Sequence, residues 1–134
     1  MTKENLAAGG VHHLAVVVRD LARAESFYSG VLGLPVQRRH EDADGNARAV
    51  WLSLGADEAF LALERCDAPG AAPRDDAAPG WLCVALAIAR ADREAWRERL
   101  GAAGHPIERE SPYTLYVRDP DGALVALSHW PHAA

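Results

Sequence analysis

The chain has 134 residues, 49% of them apolar and 25% charged, with a formal net charge of −5 at pH 7. That length suits one domain with a real core, and scattered Lys and Arg in an acidic chain exclude nucleic acid or an anionic membrane surface as the main partner. No apolar run nears the ~18 residues of a membrane span. The opening "MTKENLAAGG" lacks the apolar stretch of a signal peptide, and Cys66 and Cys83 alone make no disulfide framework. A cytoplasmic protein is expected.

The first element is read from "VHHLAVVVRDLARAESFY". Alternation makes His13 to Val18 a strand, and Asp20 is placed to accept bonds from the free N–H groups of a helix start. Leu21, Ala24, Tyr28, Val31 and Leu32 follow at helical spacing, and Gly33 ends that helix. Val36 to His40 reads as a short strand, "EDADGN" as a turn, and Ala47 to Leu54 and Ala59 to Glu64 as two more strands. Residues 66–80, rich in Pro, Gly, Ala and Asp, read as a linker.

The order then repeats. Trp81 to Ile88 reads as a strand and Asp92 as a helix cap, with Trp96, Leu100 and Ala103 forming a stripe that Gly104 closes. Pro106 to Arg109, Tyr113 to Arg118 and, after the turn "DPDG", Ala123 to His129 complete the set. Asp20 to Gly33 and Asp92 to Gly104 match at a period of about 70 residues. Each half is βαβββ, over about 11–65 and 81–130. The expected fold is α+β: two tandem modules whose mixed sheets form a cup with helices on the outer face.

This layout, with "HLAVVVRDLARAESFYSGVLGLPV" and "YVRDPDGALVAL", resembles the vicinal oxygen chelate superfamily from about Val11 to Trp130. That superfamily includes glyoxalase I, extradiol dioxygenases, fosfomycin-resistance proteins, methylmalonyl-CoA epimerases and bleomycin-binding proteins. The resemblance implies metal ligands projecting into the cup. The first ligand position falls on His13, and the second, a His in the family, falls on Cys83. The third, a Glu in the family, falls on Ala126, and the further ligand of glyoxalases and epimerases falls on Ala62. A catalytic divalent site needs about three protein ligands, so this set falls short. Glu64 and Ser128 each stand two residues beyond an Ala position and share its face, so a metal site would have to use His13, Cys83 and Glu64.

Alternation from these positions lists the inward face as His13, Ala15, Val17, Phe60, Ala62, Glu64, Cys83, Ala85, Ala87, Thr114, Tyr116, Leu124, Ala126 and Ser128. Of these, His13, Phe60, Ala62, Glu64, Cys83, Tyr116, Ala126 and Ser128 are the candidate ligand pocket. The bland reading of His13 is a cup-lining histidine, and of Cys83 an inert thiol with no cationic neighbour. Tyr116 matches an active-site Tyr of the dioxygenases and, without a metal, is a pocket wall. His12 is expected to face the helices; His40, His105, His129 and His132 are expected at the surface or sheet back, with "HWPH" a frayed tail. Trp51 belongs to the cup edge or the core, and Trp96 to the core. Trp81 and Trp130 rim either a pocket or a dimer interface.

Three readings follow. The first is a binding protein like the bleomycin-resistance group, holding a small, partly aromatic or apolar molecule with no cofactor, as a homodimer. The alternative is an atypical metalloenzyme of the glyoxalase or ring-cleaving dioxygenase type, using a divalent metal on His13, Cys83 and Glu64. A third is a degenerate relative that only associates with a partner.

Overall fold

The structure is a computed structural model that describes residues 5–55 and 57–133. Its first strand, β1 (His13–Val18), buries Val18 and half-buries Leu14 and Val16 while His13, Ala15 and Val17 stay exposed. Asp20 caps the helix that follows, its Oδ1 accepting from the Arg23 N–H at 3.1 Å. This helix, α1 (Leu21–Glu25), passes into a π-helical turn, Ser26–Val31, where the spacing predicts α-helix to Leu32. Phe27 and Tyr28 are adjacent, yet both are buried. The wider turn accommodates both rings in the core, and its Leu32 N–H reaches back five residues to the Phe27 carbonyl. Gly33, at φ +82°, then turns the chain as expected.

Strands β2 (Val36–Glu41), β3 (Ala47–Ser53) and β4 (Phe60–Arg65) complete a sheet of order β1-β4-β3-β2, with β1 and β4 parallel. Residues 66–80 contain neither strand nor helix but are tied down. Arg19 Nη2 donates to the Ala71 carbonyl at 2.7 Å, Arg74 Nη2 to that of Leu82 at 3.2 Å, and Arg118 Nη2 lies 2.7 Å from Asp76 Oδ2.

The second module has β5 (Cys83–Ala87), α2 (Arg93–Ala102), β6 (Arg109–Glu110), β7 (Thr114–Arg118) and β8 (Leu124–Ser128), in the order β5-β8-β7-β6. Three local expectations are corrected. Asp92 makes no side-chain cap, because a 3₁₀ turn over Arg90–Asp92 leads straight into α2. The short strand begins at Arg109 rather than Pro106, since proline has no N–H for a ladder and Ile107 turns toward the core. The C-terminal histidines are not frayed. His129 is buried, its N–H bonds the Tyr113 carbonyl at 2.9 Å, Arg93 Nη1 lies 2.8 Å from its Nε2, and its Nδ1 meets the His132 carbonyl.

One hydrophobic cluster joins the covered faces of both sheets. It takes Val50, Leu52, Leu61 and Leu63 from the first, Leu115, Val117, Val125 and Leu127 from the second, and Phe27, Tyr28 and Leu100 from the helical segments. At its centre Tyr28 Oη donates to Asp119 Oδ2 at 2.7 Å, tying the first module to the turn between β7 and β8. Burial, then the Asp119 charge, push the Tyr28 phenol well above its usual range. The uncovered faces of the two sheets therefore point away from the shared core. β1 and β5 end their sheets, and each has one edge unpaired among the described residues. No described helix is long and apolar enough to cross a membrane.

Candidate functional site

Strand register fixes which side chains share each uncovered face. On the first sheet one row reads Ala15, Ala62, Trp51, Arg38; on the second, the matching row reads Ala85, Ala126, Tyr116, Arg109. Beside the first lies the row His13, Phe60, Ser53, and beside the second Cys83, Leu124, Arg118. On the other side stand Val17, Glu64, Ala49, His40 and, in the second sheet, Ala87, Ser128, Thr114.

Arg38 and His40 reach this face through a β-bulge. Val36 lies opposite the core residue Leu52, whereas Arg38, only two residues on, lies opposite Trp51. The extra residue, Gln37, reverses the alternation, the usual effect of a bulge on side-chain direction. This corrects the expectation for His40, whose ring packs on Trp51 at 4.3 Å rather than lying behind the sheet. Its Nε2 is buried without a hydrogen-bond partner among the described residues.

The rings on the first face form a continuous row. Trp51 stacks on Phe60 at 4.2 Å and 19°, and Phe60 on His13 at 4.8 Å and 4°. His13 and Phe60 stand directly opposite on neighbouring strands, and Trp51 reaches Phe60 diagonally, so the three rings stack in one row across the sheet. His12 joins the end of the row instead of facing the helices; its Nδ1 is 2.9 Å from that of His13. The second face is different. The Arg109 guanidinium lies over the Tyr116 ring at 4.4 Å, and Thr114 Oγ1 donates to Ser128 Oγ at 2.9 Å.

A cavity of about 690 Å³ lies between β1 and β5. His13 and Cys83 line it from the two edge strands, Leu61 and Tyr28 from the core side, and Ala71 to Arg74 of the linker close one wall. Of the eight candidate pocket residues, His13 and Cys83 thus line this cavity. Phe60, Ala62 and Glu64 share His13's sheet face, and Tyr116, Ala126 and Ser128 share that of Cys83. The linker wall, Arg38 and the ring row as a unit are not readable in the sequence, because each depends on the bulge or on contacts distant along the chain.

The positions that the resemblance assigns to metal ligands can be located the same way. His13 lies opposite Phe60 and Glu64 opposite Val17, so these two are four residues, ~13 Å, apart along parallel strands. Glu64 lies 3.8 Å from Arg48. Ala62 and Ala126 are buried and offer no donor, and Cys83 belongs to the other sheet. Among the described residues no three His, Cys, Asp or Glu side chains are grouped to hold a metal ion.

Comparison with known proteins agrees with this architecture. The family model "Glyoxalase/Bleomycin resistance protein/Dioxygenase superfamily" matches residues 10–127. No curated protein matches the chain. Among solved structures, a glyoxylase/bleomycin resistance protein/dioxygenase domain from Frankia sp. EAN1pec superposes with a TM-score of 0.75 at 23% identity, covering 92% of this chain and 98% of that one. Lactoylglutathione lyase from Agrobacterium tumefaciens gives 0.65 at 24% identity, covering 93% and 98%. A mutant of the fosfomycin resistance protein FosX from Listeria monocytogenes, solved with Mn(II) and dihydroxypropylphosphonic acid, gives 0.72 at 17% identity, covering 91% and 93%.

Proposed function

The chain belongs to the glyoxalase/bleomycin resistance protein/dioxygenase superfamily, and on that premise we propose that it is a binding protein, holding a small, partly aromatic or apolar ligand without a metal. The observation that carries this reading is the row of rings beside Ala62, where glyoxalases and epimerases of the family add a further donor. Divalent metals of the kind bound by the Listeria relative take clustered oxygen and nitrogen ligands. The residues here do not fit that need: His13 is stacked on Phe60, Glu64 is ~13 Å further along, Cys83 stands on the other sheet, and alanines, Ala62 and Ala126, occupy the last two positions. An apolar, aromatic wall with a few polar groups suits a small organic molecule.

The functional unit we propose is a cytoplasmic homodimer, with both modules of each copy acting as a single domain. Because the uncovered faces turn away from the shared core, closing a cup takes a second copy, the first sheet of one facing the second sheet of the other. Exposed apolar side chains support this: Val17 is 63% exposed, Trp81 84% and Trp130 69%. Cys66 and Cys83 are free thiols, in keeping with a reducing compartment.

The test is metal analysis by plasma mass spectrometry on untagged protein purified without chelator, followed by ligand-induced thermal shifts with and without EDTA. The expected result is protein without stoichiometric metal whose thermal shifts are unchanged by EDTA. A full equivalent of metal, lost in His13→Ala together with ligand binding, overturns the proposal.

A further inference from the structure

The Gln37 bulge brings a cation to the ring row, and this bears on the class of ligand. Resting on the binding function above, we propose that the first sheet's open face recognises a planar aromatic acid, its ring system against Trp51, Phe60 and His13 and its carboxylate on Arg38.

Three observations converge. First, Arg38 stands opposite Trp51 on the same face only because of the bulge. Without it, the side chain at 38 would follow Val36 toward the covered face. Second, Arg38 is exposed and has neither ion pair nor hydrogen bond among the described residues, in a chain whose carboxylates outnumber its arginines and lysines. The arginines around it are engaged: Arg39 with Glu25, Arg48 with Glu64, and Arg65 with Asp42. A guanidinium left free beside an aromatic surface presents a planar fork that matches a carboxylate. Third, Trp51, Phe60 and His13 stack as one row on that face, an aromatic surface against which another ring can pack.

The second sheet repeats the aromatic–arginine pair in the same register, as Tyr116 and Arg109. Arg109 already lies over the Tyr116 ring, so it is less available. Arg38 is therefore the discriminating residue. A planar acid meets both halves of the site, whereas a neutral ring of the same shape meets only the ring row.

The experiment titrates the full chain with benzoate, 1-naphthoate and 9-anthracenecarboxylate and with the amide of each, read by calorimetry. At least one acid should bind about tenfold tighter than its amide, and Arg38→Gln should erase that difference by weakening the acid more than the amide. Arg38→Lys should restore part of it, since a point charge replaces the fork. Circular dichroism on each variant checks that the exposed substitution leaves the fold intact. Equal affinity for acids and amides overturns the inference and leaves the binding function standing. An acid preference that survives Arg38→Gln also overturns it, as does failure of all three acids to bind.

Discussion

The two uncovered faces share a middle row, Ala-Ala-aromatic-Arg, and differ on either side of it. Where the first has His13 and Phe60 the second has Cys83 and Leu124, so rings stack continuously across one sheet and not the other. Where the first has Ser53, the second has Arg118, which pairs with Glu108 and with Asp76 and so pins the linker. The Thr114 and Ser128 hydroxyls bond each other, while on the first face Glu64 and His40 flank Ala49. The same backbone register thus supports two side-chain programmes. One face offers an aromatic surface with an arginine unpaired among the described residues; the other satisfies its polar groups internally.

Substitution at matched positions tests that contrast most strongly. Phe60 is buried at the centre of the ring row, and Phe60→Ala should cost about 4 kcal/mol and abolish ligand affinity. Leu124→Ala, its counterpart, should cost about 2 kcal/mol and leave affinity on the first face intact. Urea unfolding and a ligand titration on both variants decide the point; equal loss of binding would show that the faces do not differ in role.

A smaller contrast lies in the turns that close the two modules. Asp119 accepts the Tyr28 hydroxyl and the N–H groups of Asp121 and Ala123, both at 2.8 Å. Asp119→Ala leaves that buried hydroxyl and two turn donors unpaired and should cost about 3 kcal/mol in urea unfolding. In the first module's turn Glu58 sits at φ 62°, a region favourable to glycine, and Glu58→Gly should change stability by less than ~1 kcal/mol. A comparable loss from both variants would remove this asymmetry.

The mildest effect is electrostatic. Arg97 first, then Arg93, hold Glu110 below the usual glutamate range, and Arg39 does the same for Glu25. A carboxyl whose pKa is depressed on folding stabilises fully above its unfolded value and loses that contribution as pH falls through the folded one. Urea midpoints followed from neutral pH down through the glutamate range should therefore fall less steeply in Glu110→Gln than in the parent. Glu25→Gln, with one arginine partner instead of two, should flatten the curve less. The reverse order would place the stronger charge pairing in the first module.

Much of the architecture is legible in the residues. Period-two alternation from His13 makes Ala15 and Val17 its face-mates, the Asp20 carboxylate marks a helix start, and Gly33 and Gly104 mark two ends. What escapes the sequence is whatever local pattern cannot encode. Val36, Arg38 and His40 alternate without interruption in the sequence, so nothing in it reports the extra residue at Gln37 that moves two of them to the other face. Trp51 is equally compatible with core and cup until the pairing of β3 with β4 is known. The π turn places Phe27 against the His105 ring of the second module at 4.5 Å, and the linker's grip by Arg19 joins residues some fifty positions apart. Composition identifies a connector there but not that it walls a cavity.

The two bare strand edges have a consequence for symmetry. β1 and β5 differ in sequence, and each ends a sheet with one edge that pairs with no other strand among the described residues. If β1 of one copy lies on β5 of the next in a head-to-tail manner, a bare edge remains at each end, and growth has no limit unless the rotation closes a ring. About a two-fold axis the same contact is made twice, both edges of both copies are used, and the assembly closes at two. In the proposed dimer, the operator that brings a first sheet opposite a second sheet would also be the one that protects the chain from polymerising into fibres.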